Sequence, residues 1–201
     1  IAELDQGFDF YAPQTVQHAD GIMFGWIGLP DLTYPTDKYK WHSMLTMPRK
    51  LTVKGNQIYQ YPIAQLSEQQ AGSWSGNFTV ENLDTACVKM AVDNQPFTLK
   101  LFNNPQGQHL VLRYENGVLS LDRSHTEQTD LMLKFDSVRH CEVENLHTLA
   151  LFIDRSVIEI FINEGEKAMT SRFFIAEREN TVEISREVPV EIAQVKAIDY
   201  K

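Results

Sequence analysis

The sequence has little positive charge for its length. Its 201 residues carry 18 lysines and arginines against 27 aspartates and glutamates, which gives a formal net charge of −9 at pH 7. Because binding to nucleic acid depends on clustered positive charge, this balance argues against a DNA- or RNA-binding protein. No apolar run approaches the roughly 18–20 residues that a membrane-spanning helix needs, so we expect no membrane partner either.

Cysteine is also scarce. Cys87 and Cys141 are too few for a disulfide framework or a zinc site, and neither has a partner ligand at metal-binding spacing, so we expect no metal. Two such thiols are typical of a reducing compartment, and the opening residues lack the basic start and apolar stretch of a signal peptide. We therefore expect a cytoplasmic protein. The chain begins in mid-pattern without methionine, which favours a piece of something longer.

Helix signals are few, whereas short strand signals recur along the chain. The apolar run Gly21–Leu29 predicts a buried strand. Residues 51–58 predict a hairpin that turns at Gly55-Asn56, and residues 110–121 predict a second that turns at Asn116-Gly117.

Strand signals continue to the C-terminus. Residues 149–174 alternate through two turns and predict an antiparallel meander with one solvent-facing and one apolar side. Residues 181–188 and 190–198 predict two closing strands, and the polar stretch 63–72 predicts a linker after Pro62. Repeated short strands of this kind indicate an all-β sandwich or barrel.

An acidic and aromatic opening is the first candidate for chemistry. Glycosidic bond hydrolysis needs two carboxyl groups, and aromatic rings pack against sugar C–H faces. Asp5 and Asp9 are four residues apart, about 13 Å on an extended strand, which is too far for a retaining pair unless Gly7 bends the chain. The alternatives are that the two aspartates cap turns around Gly7 and that Trp26 is a core residue.

The second candidate is the basic stretch 34–50, in which cations are interleaved with Tyr39 and Trp41. Its cations are Lys38, Lys40, His42, Arg49 and Lys50. Such a stretch either recognises one phosphate or sugar hydroxyls, or it is a solvated loop.

Several longer strings resemble one family of glycosidases, the sucrose-hydrolysing glycoside hydrolase family 32. The N-terminal strings are ELDQGFDFYAPQT, GIMFGWIGLPDLTYPTDKY and LTMPRKLTVKGNQIYQYPI. The C-terminal string is LFIDRSVIEIFINEGEKAMTSRFF, about 90 residues further on. The likeness is tight over residues 3–63 and 149–174 and is strongest to the bacterial sucrose-6-phosphate hydrolases.

The resemblance implies an all-β fold, namely the last part of a five-bladed β-propeller followed by a β-sandwich. Residues 1–62 are expected to be the C-terminal part of the propeller, 63–72 a linker and 73–201 the sandwich. The implied activity of the parent protein is retaining hydrolysis of the β-fructofuranosyl bond of sucrose or sucrose 6-phosphate, with no cofactor. The family's three catalytic carboxylates belong to motifs absent from this chain, so no catalytic residue is assigned here and the chain alone is expected to be inactive.

One wall of the family's site does carry over to this sequence. Asp5, Asp9 and Tyr11 match the family's Asp-x-Gly-x-Asp-Phe-Tyr-Ala motif, and Trp26 matches the Gly-Trp of the following strand, whose indole lines the fructose-binding end. These four residues are expected to bind substrate. The expected partners are the sugar and either the missing N-terminal propeller region or a second copy of the chain. The rival interpretation is a non-catalytic β-sandwich module that binds carbohydrate or mediates assembly.

Overall fold

The computed structural model describes residues 3–18 and 20–196, which form two antiparallel β-sheets. The first sheet has the strand order β1-β2-β4-β5, and β3 also pairs with β2. Its strands are β1 (Tyr11–Thr15), β2 (Ile22–Ile27), β3 (Met44–Leu45), β4 (Arg49–Lys54) and β5 (Gln57–Pro62). The β4–β5 hairpin confirms the predicted turn, where Gly55 takes a positive φ of 61°. The predicted buried strand β2 is buried on one face and half-buried on the other.

The second sheet has the order β11-β10-β9-β8-β15-β7-β12-β13-β14, and β6 pairs with β15. Its strands are β6 (Gln70–Thr79), β7 (Ala86–Ala91), β8 (Phe97–Leu101), β9 (Leu110–Glu115), β10 (Val118–Asp122), β11 (Val138–Glu142), β12 (Thr148–Asp154), β13 (Val157–Ile162), β14 (Lys167–Arg172) and β15 (Thr181–Gln194). Strand β6 begins at Gln70, inside the predicted linker. The β9–β10 hairpin turns at Asn116-Gly117 as predicted, with φ of 51° and 76°.

Strand β15 corrects the prediction of two closing strands. It runs without a break, and its register with β6 shifts between Ile184 and Val188. Its first half pairs with β8 and its second half with β7, so one bulged strand joins the two layers of the sandwich. The end of the second predicted strand, residues 197 and 198, lies outside the described residues. One core cluster fills the space between the layers, with Leu99 and Leu112 from one layer and Leu151 and Ile160 from the other.

The α-helix α1 (Asp130–Phe135) was not expected from the sequence. It buries Leu131 and spans only six residues, so it is too short for a helical period to be visible in the sequence. Short 3₁₀ turns lie at Asp37–Tyr39, Leu83–Thr85 and Asn163–Gly165. None of the helices within residues 3–18 and 20–196 is both long and apolar enough to cross a membrane.

The meander β12–β14 is present as predicted, but the expectation of a solvent-facing side is wrong. All six residues of β13 are buried. One side of the meander faces the sandwich core, and the other packs against residues of the first sheet and the chain that follows it, including Met47, Tyr61 and Ala64. A polar residue on this outer side, such as Glu159, is therefore enclosed between the two sheets.

Both cysteines are buried, with 1% of each residue exposed. Burial disfavours the charged thiolate and raises the pKa of Cys87 to about 12 and that of Cys141 to about 11. Because the thiolate is the reactive species, we expect neither thiol to react with iodoacetamide at pH 8 in the folded chain. Intact mass should show two adducts only after denaturation, and rapid labelling of the native chain would contradict this assignment.

Candidate functional site

An exposed row of apolar side chains crosses the outer face of the first sheet. Tyr11 on β1 pairs with Trp26 on β2, and Trp26 pairs in turn with Leu45 on β3. Directly paired residues of antiparallel strands project to the same face, so these three side chains lie side by side. The rings of Tyr11 and Trp26 are 6.0 Å apart between centroids and tilted by 60°. We call Tyr11, Trp26 and Leu45 the aromatic wall.

The aromatic wall is open to a ligand. Tyr11 is 54% exposed and Leu45 62%, and Trp26 is half-buried, whereas Met23 and Ile27 of the same strand point inward. Two neighbouring rings on an open face can pack against the C–H face of a sugar. An exposed apolar row is also suited to contact with another protein surface. The structure thus brings together two of the four predicted site residues.

Asp5 lies away from solvent and contacts the sandwich. Its Oδ1 accepts hydrogen bonds from the backbone N–H groups of Gly7 (2.9 Å) and Thr170 (2.8 Å). Its Oδ2 accepts from Thr170 Oγ1 (2.6 Å) and Arg49 Nη1 (3.1 Å). The first of these bonds is the turn cap at Gly7 that the sequence offered as an alternative.

Asp9 is fully buried and contacts a second point of the sandwich. Its Oδ2 accepts from the backbone N–H of Arg172 (2.7 Å) and from Arg123 Nη1 (3.1 Å). Burial raises the pKa of Asp9, and the positive charge of Arg123 opposes that rise. Substrate binding by Asp5 and Asp9 stays a prediction, while the contacts seen here fasten the N-terminal segment to β14.

Backbone hydrogen bonds reinforce this attachment. Gln6 N–H donates to Ala168 O and Phe8 N–H to Thr170 O, both at 2.8 Å. Residues 6–8 therefore run along the edge of the sandwich sheet formed by β14, although they are not themselves a strand. Gly7 is required between them, because a Cβ at this position would lie 2.2 Å from both N and O of Thr170.

Arg49 lies at the centre of the interface between the first sheet and the sandwich. The sequence alone placed it only in a basic stretch. Its guanidinium donates to Asp5, to Gln60 Oε1 (2.8 Å), to Glu159 Oε2 (2.6 Å from Nη2) and to Thr170 Oγ1 (2.6 Å). It also lies between the rings of Phe10 and Phe161, each 5.0 Å from the guanidinium carbon. Burial by itself lowers the pKa of Arg49, but the carboxylates of Glu159 and Asp5 outweigh burial and raise it.

Arg172 forms a second buried cation site. Its guanidinium lies about 5 Å from the rings of Tyr34, Trp41 and Phe174, and it donates to His42 O (3.1 Å) and Thr36 Oγ1 (3.2 Å). A cation enclosed by aromatic faces is stabilised by their quadrupoles. The loop after β2 is thereby held against the sandwich.

The basic stretch does not form one surface patch. Arg49 is buried, His42 Nδ1 lies 3.0 Å from Asp37, and Lys50 Nζ lies 2.8 Å from Asp20. These three side chains therefore have three separate sets of partners. Within the described part of the chain, no group of three or more histidine, cysteine, aspartate or glutamate side chains could hold a metal ion.

Comparison with known proteins matches both parts of the chain. The model of the family 32 glycosyl hydrolase N-terminal domain matches residues 1–62, and the family 32 C-terminal model matches residues 49–199. A sucrose-6-phosphate hydrolase of Streptococcus mutans serotype c is 31% identical over 195 residues. A probable sucrose-6-phosphate hydrolase of Vibrio cholerae is 39% identical over 180 residues.

The chain spans only part of these relatives. It covers 40% of the Streptococcus mutans protein and 32% of the Vibrio cholerae protein, while the matches take in 94% and 85% of the chain itself. The solved sucrose-6-phosphate hydrolase of Lactobacillus gasseri superposes with a TM-score of 0.83 at 25% identity, covering 96% of this chain and 42% of that one. The predicted fold, the last part of a propeller followed by a sandwich, is confirmed. The chain belongs to glycoside hydrolase family 32.

Proposed function

We propose that the complete protein containing this chain is a retaining glycosidase that hydrolyses the β-fructofuranosyl bond of sucrose or sucrose 6-phosphate. The supporting observation is the aromatic wall, which lies on the sheet that matches the family's N-terminal model. The similar protein from Streptococcus mutans is named sucrose-6-phosphate hydrolase, and that from Vibrio cholerae is named probable sucrose-6-phosphate hydrolase.

The two carboxylates that share Arg49 are poorly placed for the chemistry. Retaining hydrolysis needs two accessible carboxyl groups about 5–5.5 Å apart, one as nucleophile and one as acid and base. Asp5 and Glu159 both contact Arg49, but both are buried and hydrogen-bonded to protein donors. We therefore assign catalysis to carboxylates of the preceding propeller region, which is also the partner we propose for this chain.

The division of roles follows from exposure. Tyr11 and Trp26 are proposed to contact the sugar, because their side chains are more accessible than those of the other two predicted residues, which are buried. Asp5 and Asp9 are proposed to hold the segment that carries Tyr11 against β14. The sandwich then serves as the support on which this part of the site is built.

The test compares hydrolysis by the chain and by the complete protein. We expect the 201-residue chain to release no fructose from sucrose or sucrose 6-phosphate, and the complete protein to hydrolyse at least one of them. In the complete protein, Trp26→Ala should raise KM about tenfold or more, because it removes a ring that packs on the substrate. Trp74→Ala is the matched control, since Trp74 stacks on Phe78 in the sandwich. Activity of the chain alone, or an unchanged KM in Trp26→Ala, would contradict the proposal.

The rival function, a carbohydrate-binding sandwich, has one observation in its favour. A groove of about 710 Å³ runs over the outer face of β7, β12 and β15, and Tyr61, Lys89, Phe161 and Glu191 are among its lining residues. Aromatic and charged groups together can bind sugars. Titration of the chain with sucrose, followed by tryptophan fluorescence, separates the two: binding that survives Trp26→Ala favours the sandwich.

A further inference from the structure

Glu159 is the one charged residue in the otherwise apolar strand β13. The other residues of β13 are Val157, Ile158, Ile160, Phe161 and Ile162, all buried and apolar. Glu159 is 3% exposed and lies on the outer side of the meander beneath the first sheet. A buried carboxylate is costly to desolvate, and replacement of buried ion pairs by apolar groups is often neutral for stability. The groups that its two carboxylate oxygens bind indicate a role beyond stability.

The two oxygens of Glu159 hold two neighbouring points of the first sheet. Oε1 accepts from the backbone N–H of Met47 (2.7 Å), and Oε2 accepts from Arg49 Nη2 (2.6 Å) and Nε (3.1 Å). Met47 follows Thr46, whose backbone N–H donates to Gly25 O (2.9 Å) and whose Oγ1 accepts from Gly25 N–H (3.0 Å). Gly25 directly precedes Trp26. The Glu159–Met47 hydrogen bond and the pair of hydrogen bonds between Thr46 and Gly25 thus connect a sandwich carboxylate to the backbone of the aromatic wall.

A second route leads from Glu159 to Tyr11. The Arg49 guanidinium that Glu159 holds lies 5.0 Å from the ring of Phe10, which directly precedes Tyr11. The Phe10 ring is pressed against Gly25, where an added Cβ would lie 2.3 Å from a ring carbon. The Phe10 ring therefore packs against β2 at Gly25, the residue to which Thr46 is hydrogen-bonded. Trp26 and Tyr11 are therefore adjacent to Gly25 and Phe10, which contact Thr46 and Arg49 and not Glu159 itself.

We propose that Glu159 is a positioning residue, which sets the orientation of Tyr11 and Trp26 through the Met47–Thr46 segment and the Arg49–Phe10 contact. The inference rests on the proposed function for its catalytic consequence, but the geometry it describes belongs to this chain alone. It assigns to the sandwich a direct part in shaping the sugar-binding wall. A purely structural role would instead give a loss of stability with the wall unchanged.

The test uses Glu159→Gln, which keeps the length of the side chain and removes its charge. The control is Leu112→Ala, a buried change in the layer of the sandwich that does not face the first sheet. Both are made in a chain whose other tryptophans are replaced, Trp41→Phe and Trp74→Phe, so that emission reports Trp26. We expect Glu159→Gln to shift the emission of Trp26 and to increase its quenching by acrylamide. Leu112→Ala should lower the melting temperature, because it leaves a cavity in the sandwich core, and leave both signals unchanged.

The same two substitutions are then compared in the complete protein. Glu159→Gln should lower kcat/KM about tenfold or more, since small displacements of binding groups carry large kinetic costs. Leu112→Ala should leave kcat/KM unchanged at a temperature where both are folded. If Glu159→Gln matches the control in Trp26 emission, quenching and kcat/KM, the positioning role is wrong. If the complete protein hydrolyses neither sugar, the proposed function fails, while the Trp26 signals still decide the role of Glu159.

Discussion

Replacing Arg49 by methionine should lower the free energy of unfolding by about 3–5 kcal/mol, the usual cost of removing one partner from a buried ion pair. Asp5 and Glu159 share this single guanidinium, and both are buried. Without it, two carboxylates remain enclosed in one site with less compensating charge. Urea unfolding of the chain at pH 7, followed by tryptophan fluorescence, measures the loss.

The size of the effect comes from the number of groups that depend on Arg49. Gln60 Oε1 and Thr170 Oγ1 also lose a donor, and the rings of Phe10 and Phe161 lose the cation between them. A methionine side chain fills part of the space but donates no hydrogen bond. Buried acceptors left without donors cost more than the original bonds contributed.

Lys50→Met is the matched control, because Lys50 is the next residue of the same strand and its ion pair with Asp20 is exposed. An exposed pair contributes at most about 1 kcal/mol, so this variant should remain close to the wild type. The double variant Arg49→Met/Glu159→Met should be more stable than the sum of the single changes predicts, by about 1–3 kcal/mol, since the two groups interact directly. An Arg49→Met variant as stable as Lys50→Met would show that the buried network adds nothing.

The hairpin turns of this fold could be predicted from the sequence because each is formed by neighbouring residues. Asn116-Gly117 supplies two positive φ values within a two-residue turn, and the alternation on either side sets the register. Tyr11 and Trp26 were candidates because of the family motifs around them, and their contact with the sugar stays a prediction. Their pairing on one face is a consequence of β1 and β2 being adjacent.

The interface was not predictable from local pattern. Alternation along β13 places Glu159 opposite the core, but a position opposite the core can face either solvent or another sheet. The deciding contact, with Arg49, joins residues 110 apart in sequence. Asp5 and Asp9 present the same difficulty. The sequence shows two acidic residues that are four positions apart, and only the position of β14 shows that both are buried. The one available signal was the isolated charge in an otherwise apolar strand.

Gly7→Ala should be the second most damaging change, with a loss of about 3 kcal/mol, at the upper end of what overpacking costs. The added Cβ would lie 2.2 Å from the backbone N and O of Thr170. A flexible side chain could move away from such a contact, but the backbone of β14 is fixed by its pairing with β13. The segment around Gly7 must therefore separate from β14, and the contacts of Asp5 and Asp9 with Thr170 and Arg172 separate with it.

Gly72→Ala provides the comparison, because Gly72, like Gly7, has no positive φ. Gly72 lies in β6, and its added Cβ would meet only the ring of Trp74, at 3.3 Å. This variant should be close to neutral, since alanine is favoured over glycine within a strand by about 0.5–1 kcal/mol. Hydrogen exchange at the amides of Gln6 and Phe8, which donate to β14, should accelerate in Gly7→Ala alone. Retained protection of those two amides would mean that the segment tolerates a side chain at residue 7. Loss of that protection, in a variant that alters no group of the aromatic wall, would instead support attachment of the site to β14 as a role of the Asp-x-Gly-x-Asp motif.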